Sequence, residues 1–277
     1  FPGAWYTIAI DVIMPDGRTL QVASCHHYRD QWARAFDVTY EDESGDQQFV
    51  HQTTYGMSER LLGAIVATHG DDQGLIMPPS VAPIQVIVIP IMSKQASQDI
   101  IAEAEKIVSQ LKESGIRARI DSRDIRPGQK YYDWEIKGVP LRIEIGPRDL
   151  ANNSVMCARR TGGKNSHSLE NLAATVREEL DVIGKEMDEG STNHFNSHIK
   201  NLPSFSRDGD KLIFDEPIQS GYVYEMAFEG NDAEAEIIEK STGLTFLGNS
   251  TSTYSKAKSC IISGQSTHNK VYLARTY

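Results

Sequence analysis

The segment Gln52–Gly63, QTTYGMSERLLG, decides how the first part of this 277-residue chain folds. It predicts a strand that turns through Gly56 into a helix, with Arg60 at the junction. A glycine lets the backbone approach a ligand closely, and the first turn of a helix presents unpaired N–H groups and a positive dipole end. An arginine there can form a forked contact with a phosphate or stack on a base. The segment is therefore a candidate site for a nucleotide phosphate, although any strand-turn-helix with an exposed arginine shares this local pattern.

The residues that follow extend this pattern. Thr68–Leu75 reads THGDDQGL, two prolines come shortly after it, and Val81–Pro90 reads as a strand. Together these segments resemble prolyl-tRNA synthetases of the archaeal and eukaryotic type. Gln52–Gly63 is similar to motif 3 of class II aminoacyl-tRNA synthetases, and Thr68–Leu75 with its prolines is similar to the link before the anticodon-binding domain. The resemblance extends from Phe1 to Tyr277.

The predicted elements indicate a multidomain protein of the α/β and α+β classes. Residues 1–78 are expected to form part of the antiparallel class II catalytic sheet, including motif 3. Residues 79–189 alternate strands and helices, which predicts the anticodon-binding α/β domain, a mixed sheet of four or five strands with three helices. Residues 190–277 are expected to form a small C-terminal α/β domain, preceded by a surface linker over 190–210.

Local patterns give more detailed expectations. Residues 28–35 are predicted to form a short helix, and residues 36–42 are predicted to pair with residues 47–55 as a hairpin. Ser168 is predicted to cap the last helix of the α/β domain.

Composition indicates a cytoplasmic chain with one basic face. Cys25, Cys157 and Cys260 are far apart and odd in number, which is typical of reduced thiols. No apolar run approaches the roughly 20 residues that cross a bilayer, and no signal peptide is evident, so no membrane partner is expected. The formal charge is −10, but residues 126–164 hold eight Lys or Arg and four acidic residues, a local balance of +4. Such a surface favours one docking face for a polyanion.

The resemblance implies roles for five residues of the first domain. Arg60 is expected to be catalytic and to hold the adenine and the γ-phosphate of ATP, with Ser58 beside it. Gln21 is expected to be the second catalytic residue and to help hold ATP and its Mg²⁺, while Ser24 and His26 line the proline pocket. Strand alternation predicts that Ser24 and His26 share one face and that Gln21 points to the other, unless a bulge intervenes.

Two features complicate this assignment. His26 and His27 are adjacent and could instead bind a metal, but no third ligand lies at a usual spacing. The chain also has Ser24–Cys25 and Ser58–Glu59 where the family more often has Thr-Ser and Thr-Thr. Serine keeps the hydroxyl, whereas the Glu59 carboxylate would oppose the triphosphate unless it faces away.

Candidate tRNA-binding residues cluster in the second helix of the α/β domain and around it: Trp134, Glu135, Lys137, Arg142, Arg148, Arg159, Arg160 and Lys164. Single-stranded bases are read by stacking and by hydrogen bonds to their Watson–Crick edges. The guanines at the second and third positions of the proline anticodon offer N–H donors to Glu135 and acceptors to Lys137. Trp134 could instead belong to the core, with the charges forming a solvated face.

The C-terminal region departs from the family pattern. Many relatives hold a structural zinc there with two pairs of cysteines, but residues 227–234 contain no cysteine and Cys260 is the one thiol near the second pair. We therefore expect this domain to fold without zinc. The terminal Tyr277 resembles the family's aromatic ending, which turns back toward the catalytic domain.

The resemblance implies a proline–tRNA ligase that charges tRNA(Pro) with L-proline through a prolyl-adenylate, using ATP, and that is a homodimer at full length. Nothing in the chain resembles class II motifs 1 and 2, so the chain is expected to be the C-terminal portion of a longer synthetase and inactive alone. The alternative is a non-catalytic tRNA-binding or regulatory protein descended from a synthetase. A threonine enzyme is less favoured, because the ligands of its zinc pocket are not found.

Overall fold

The computed structural model describes residues 1–92, 97–209 and 211–277, without the side chain of Ser97. Over these residues the chain divides into two compact units, one formed by Phe1–Ala64 with His194–Tyr277 and the other by Ile65–Asn193. Its strands and helices follow one another as β1 (Tyr6–Ile13), β2 (Thr19–Arg29), α1 (Gln31–Phe36), β3 (Thr39–Glu41), β4 (Gln47–Phe49), β5 (Gln52–Met57), α2 (Arg60–His69), β6 (Val86–Pro90), α3 (Ser97–Glu113), β7 (Ala118–Ile120), α4 (Pro127–Ile136), β8 (Leu141–Ile145), α5 (Pro147–Ala151), β9 (Ser154–Arg159), β10 (Lys164–Ser168), α6 (Leu172–His198), β11 (Ile199–Asn201), β12 (Phe205–Asp208), β13 (Lys211–Phe214), β14 (Val223–Ala227), α7 (Asp232–Thr242), β15 (Thr245–Asn249), β16 (Lys258–Ser259), β17 (Ser266–Thr267) and β18 (Lys270–Ala274).

The unit Ile65–Asn193 is built on a five-stranded sheet of order β10-β9-β8-β6-β7. β6 is parallel to β7 and β8, whereas β9 is antiparallel to β8 and β10. Three longer helices, α3, α4 and α6, accompany this sheet, together with the short α5. The predicted mixed sheet with three helices is confirmed.

Both faces of this sheet are covered. β6 is buried along its whole length, and alternate residues serve two apolar clusters. Val86 and Val88 pack with side chains of α3 and α6, whereas Ile87 and Ile89 pack with Trp134 of α4. Coverage of both faces is typical of parallel strands, and each fully buried aliphatic side chain contributes about 1.5–3 kcal/mol.

The other unit contains an antiparallel three-stranded sheet of order β1-β2-β5. Ala64 of α2 packs against Met14 and Val22 on one of its faces. The turn between β1 and β2 requires Gly17, because its φ is +76° and a Cβ there would lie 2.0 Å from the carbonyl oxygen of Gly221.

A four-stranded sheet in the same unit has the order β11-β14-β18-β15, with only β11 and β14 parallel among its pairs. Ile238 of α7 packs in its apolar cluster. Beyond β18 the chain returns to the β1–β2 turn, where the Tyr277 hydroxyl donates to Asp16 at 2.9 Å and the Arg18 guanidinium lies 5.1 Å from the centre of the Tyr277 ring. The aromatic end of the chain thus lies against the β1–β2 turn of the three-stranded sheet, as the resemblance implied.

Two local predictions in the first part of the chain are wrong in detail. β2 extends to Arg29, so the helix expected from residue 28 begins only at Gln31 as α1. The expected hairpin is divided, because β3 pairs with β4 whereas β5 pairs with β2. The apolar and β-branched residues of β5 complete the larger sheet, which a hairpin pattern cannot distinguish from local pairing.

Two predictions later in the chain also fail. Ser168 ends β10, and its hydroxyl accepts from the Glu170 N–H at 3.1 Å, ahead of the helix that begins at Leu172. The linker expected over 190–210 is replaced, in its described residues, by the end of α6 and by β11 and β12; residue 210 lies outside the described part. The polar composition resembles a loop, but extending an existing helix costs little once it has formed. Over the described ranges, no helix is long and apolar enough to cross a bilayer.

Candidate functional site

Cross-strand pairing places the expected proline-pocket residues on one face of the three-stranded sheet. Thr7 pairs with His26 and Ala9 pairs with Ser24, and direct partners share a face. The Nδ1 atom of His26 lies 2.9 Å from Thr7 Oγ1, and its Nε2 atom lies 3.1 Å from Ser24 Oγ. Hydroxyl groups therefore hold both ring nitrogens and fix the orientation of the imidazole.

A bulge at Val22 moves Gln21 onto this same face. The register between β1 and β2 shifts there, so that Gln21 pairs with Asp11 and Val22 has no partner in β1. Asp11 lies on the same face of β1 as Thr7 and Ala9, which pair with His26 and Ser24. Gln21 therefore lies on the same face of β2 as Ser24 and His26. The placement predicted by simple alternation is wrong, and the intervening bulge is the physical reason.

Asp11 is a candidate that sequence reasoning missed. Its carboxyl group is half-buried directly across from Gln21, and burial raises its pKa. Within the described part of the chain, no side chain donates a hydrogen bond to it. Alternation along β1 places Asp11 on the same face as Thr7 and Ala9, which the sequence could have indicated. Only the register between β1 and β2 shows that Asp11 lies opposite Gln21.

Arg60 is the first residue of α2, and its side chain is exposed. The Ser58 hydroxyl accepts from the Arg60 backbone N–H at 3.4 Å, which satisfies one of the unpaired donors of the first turn. The Nη1 atom of Arg60 lies 3.5 Å from the carbonyl oxygen of Gln21. The three residues expected to bind ATP are therefore close together.

The two adjacent histidines do not form a joint metal site. His27 pairs with Tyr6 and stacks on its ring at 5.2 Å, whereas His26 pairs with Thr7, so the two imidazoles lie on opposite faces of the sheet. Throughout residues 1–92, 97–209 and 211–277, no group of three or more His, Cys, Asp or Glu side chains is placed to hold a metal ion.

Trp134 lies in the interior of the α/β unit. Its Nε1–H donates to Asp121 at 2.7 Å, and Arg123 donates to the same carboxylate through Nε at 2.9 Å and Nη2 at 2.7 Å. Burial alone raises the pKa of Asp121, but the hydrogen bonds from Arg123 and Trp134 outweigh it and lower that pKa to about 2. The Nζ atom of the exposed Lys137 lies 4.5 Å from the centre of the Trp134 ring. Trp134 thus fixes the last turn of α4, which Lys137 directly follows.

Three of the expected tRNA-binding arginines, Arg142, Arg159 and Arg160, have acidic partners within the unit. Arg159 forms ion pairs with Glu179 at 3.4 Å and Glu186 at 2.8 Å. Arg160 is buried, and its guanidinium donates two hydrogen bonds to Asp71, one of them at 2.9 Å. These charges are largely neutralised where they lie.

Of the remaining basic candidates, Lys137, Arg148 and Lys164 are accessible, whereas Arg142 is not. Lys137 and Arg148 are exposed, and Lys164 is exposed while it donates to Glu144 at 2.8 Å. Arg142 is mostly buried against Glu135 and Glu144. The basic surface is therefore smaller than the local count of charges predicts, because several of those charges form internal ion pairs.

The segment THGDDQGL has a clear structural role. Asp71 binds Arg160, whose hydrogen bonds lower the Asp71 pKa to about 2. Leu75 N–H donates to the Ile136 carbonyl oxygen at 3.2 Å. Gly74 has a φ of +130°, and a Cβ there would lie 2.5 Å from Ile136 Cα. The segment thus packs against the end of α4, and no side chain could replace the glycine hydrogen.

Comparison with protein families assigns a class to the N-terminal segment and to the α/β unit. Residues 2–69 match the tRNA synthetase class II core domain of the G, H, P, S and T enzymes, and residues 85–179 match the anticodon binding domain. The chain therefore belongs to the class II aminoacyl-tRNA synthetases.

Individual relatives narrow the assignment. The proline–tRNA ligase of Thermococcus kodakarensis is 42% identical over 283 aligned positions, covering 100% of this chain and 58% of that protein. The enzyme of the same name from Methanosarcina mazei is 42% identical, covering 100% of this chain and 57% of that protein. A structure of Giardia lamblia prolyl-tRNA synthetase in complex with prolyl-adenylate matches with a TM-score of 0.88 at 29% identity, covering 100% of this chain and 60% of that one. Within its class, the chain belongs to the prolyl-tRNA synthetase family, and it spans less than two thirds of the length of these relatives.

Proposed function

We propose that this chain is part of a proline–tRNA ligase, which joins L-proline to tRNA(Pro) through a prolyl-adenylate at the expense of ATP. The observation that carries the proposal is the grouping of Gln21, Ser24 and His26 on one face of a sheet, with Arg60 next to Gln21. The high identity to proline–tRNA ligases supports it.

ATP would be held where β2 meets the start of α2. The exposed Arg60 guanidinium has donors for the γ-phosphate and a flat face for the adenine. Ser58 shapes the first turn of α2 beside it. Mg²⁺ prefers oxygen ligands, and the Gln21 side-chain oxygen and the Asp11 carboxyl group lie opposite each other on the substrate face. The ion would neutralise triphosphate charge when bound.

Proline would lie along the same face, next to His26. The imidazole is held by Thr7 and Ser24, and the Tyr28 ring lies 5.9 Å from it. A fixed ring beside an aromatic side chain suits a small apolar ring. Positioning the proline carboxylate against the α-phosphate is the main contribution that such a site makes to adenylate formation.

Glu135 and Lys137 would read anticodon guanines, and the exposed Arg148 and Lys164 would contact phosphates. The proposal further includes domain limits at 78/79 and 189/190 and a C-terminal domain without zinc. It also includes a homodimer at full length and a cytoplasmic location. The 277-residue chain alone is expected to bind tRNA without forming the adenylate.

Proline-dependent exchange of pyrophosphate into ATP tests the catalytic part, using a protein that contains this chain and the remaining length of its relatives. Arg60→Ala should lower kcat/KM for ATP by about 100-fold, the usual effect of removing one charge-stabilising donor. Arg34→Ala is the matched control, because Arg34 is exposed in the same unit and pairs with Asp30; it should change the rate less than about twofold.

The outcomes separate the two functions weighed from the sequence. An extended protein that binds tRNA(Pro) but exchanges no pyrophosphate would favour the non-catalytic tRNA-binding protein. Equal losses for the Arg60 and Arg34 variants would remove the role assigned to Arg60.

A further inference from the structure

Arg142 lies at the centre of a charged network beside α4. Its Nη1 donates to Glu135 at 2.7 Å, and its Nε donates to Glu144 at 3.0 Å. The guanidinium carbon lies 3.9 Å from the centre of the Tyr131 ring, and Lys164 donates to the other Glu144 oxygen at 2.8 Å. Only 16% of the Arg142 side chain is exposed. Its donors therefore point into the network.

Glu135 is also held through its main chain. The Nε atom of Arg160 donates to the Glu135 carbonyl oxygen at 3.3 Å, and the Gly138 N–H donates to it at 2.9 Å. Arg160 is itself fixed by Asp71. The Glu135 side chain is 32% exposed and is bonded by Arg142 through Oε1. In the described part of the chain, no other side chain bonds to this carboxylate, so Arg142 is the side chain that orients it while part of it stays open to solvent.

We infer that Arg142 positions the Glu135 carboxylate for reading a guanine base while Arg160 holds the Glu135 main chain, and that neither arginine contacts RNA phosphates. The inference rests on the proposed function. If Arg142 turned to a phosphate, Glu135 would lose its side-chain donor and Glu144 would lose one of its donors, which is costly for partly buried charges. A carboxylate fixed in advance can accept the N1–H and N2–H of guanine without losing side-chain entropy on binding.

The test is binding of the 277-residue chain to tRNA(Pro) transcripts over a range of salt concentrations. One transcript keeps guanine at the second and third anticodon positions, and the others carry adenine at one of them. Arg142→Met should reduce the preference for the guanine transcript about tenfold, the discrimination that one paired contact supplies. The slope of log affinity against log salt should not change, because no phosphate contact is lost.

Arg148→Met is the matched control, because Arg148 is an exposed arginine of the same unit. It should weaken all transcripts alike and reduce the salt slope by about one. Arg142→Lys keeps the charge but lacks the fork that holds Glu135 and Glu144 together, so it should not restore the preference. If Arg142→Met behaves like Arg148→Met, or if Arg142→Lys restores wild-type preference, the positioning role is refuted.

Glu135→Gln separates this inference from the function on which it rests. If the wild-type chain has no preference among transcripts, or if Glu135→Gln leaves the preference intact, the reading role of Glu135 fails and the inference fails with it. If Glu135→Gln removes the preference while Arg142→Met preserves it, only the inference fails.

Arg142→Met leaves Glu144 without one of its partners and could impair folding. The double variant Arg142→Met with Glu144→Gln also removes the Glu144 charge that lost this partner, and it should show the same loss of preference with normal thermal unfolding. A folded double variant with wild-type preference would refute the inference.

Discussion

The two sheets that carry the candidate sites differ in how they use apolar residues. In the five-stranded sheet, every residue of β6 is buried between helices on both faces. In the three-stranded sheet, four apolar residues that share one face by pairing are exposed: Ile8, Ile10, Tyr55 and Met57. The first sheet is stabilised by burial on both sides, whereas the second presents one face of apolar residues and another of polar candidates.

The polar residues of the two sheets differ in a parallel way. Around Trp134 the buried carboxylate of Asp121 has several donors, and Arg142, Arg159 and Arg160 of that unit have acidic partners. On the three-stranded sheet, Asp11 has no side-chain donor among the described residues, and Arg60 is exposed. Satisfied polar groups stabilise a fold, whereas unsatisfied ones are typical of positions that bind a ligand.

The largest test of this contrast compares two isoleucines. Ile143 in β8 is fully buried, whereas Ile10 in β1 is 49% exposed. Ile143→Ala should lower the free energy of unfolding of its unit by about 2–5 kcal/mol, and Ile10→Ala should change that of the other unit by less than about 0.5 kcal/mol. Denaturant unfolding can follow each unit separately, because Trp134 reports the α/β unit when Trp5 and Trp32 are replaced by Phe, and Trp5 and Trp32 report the other unit when Trp134 is replaced by Phe. Equal losses would mean that the exposed face of β1 is covered in solution.

A second test uses the pH dependence of Asp121. Its folded-state pKa of about 2 lies below the ordinary value of 3.8, so the ionised group stabilises the fold above about pH 4, and this contribution is lost as the pH falls toward 2. The side chain is 1% exposed, and the shift corresponds to about 2 kcal/mol. Asp121→Asn should therefore lower stability at pH 7, and its difference from wild type should shrink between about pH 5 and 2. A difference independent of pH would assign the effect to packing instead.

Much of the α/β unit follows from its sequence. Apolar spacing in α3 and α6, Pro127 at the first position of α4 and the β-branched run of β6 each specify one element locally. These signals agree because each element buries one continuous apolar face. The helix near residue 233 is also specified locally, since Asn231 and Glu234 form a reciprocal capping box at its start.

The candidate site is harder to predict because it depends on register. Nothing in the sequence around Gln21 shows that Val22 is a bulge, since that depends on which β1 residue each β2 residue meets. The pairing of β5 with β2 and the ion pairs of Arg159 and Arg160 likewise join residues far apart in the chain. Residue types could therefore be proposed from the sequence, but their shared faces and partners could not.

A third test concerns the proposal that the C-terminal sheet folds without zinc. The Cys260 thiol is buried, and its Sγ accepts the backbone N–H of Glu229 at 3.2 Å and of Ser263 at 3.5 Å. Burial raises the Cys260 pKa, but these contacts with Ser263 and Glu229 outweigh it and lower that pKa. Cys260→Ala should cost about 1–2 kcal/mol, because two donors lose their acceptor. Thermal unfolding with and without a zinc chelator checks the metal: the chelator should leave Tm unchanged, and a drop in Tm would refute the zinc-free domain.

The smallest effect is expected at Asp11, with the opposite sign to that at Asp121. Burial raises the Asp11 pKa above 3.8, so the folded state disfavours the ionised form. Stability then falls as the pH rises through the ordinary pKa, and the loss is complete above the raised one. Asp11→Asn should therefore stabilise the chain at pH 7, by less than about 1 kcal/mol, and should have no effect near pH 2.

Activity and stability should respond in opposite directions to the Asp11 change. A binding residue held without partners destabilises the free protein and is compensated only when its ligand is present. If the carboxyl group serves ATP and its Mg²⁺, Asp11→Asn should raise KM for ATP in the extended protein, while Asp121→Asn should leave KM unchanged. If Asp11→Asn destabilised the fold at pH 7, the Asp11 carboxylate would be a satisfied, stabilising group like Asp121. The proposed difference between the polar residues of the two sheets would then be wrong.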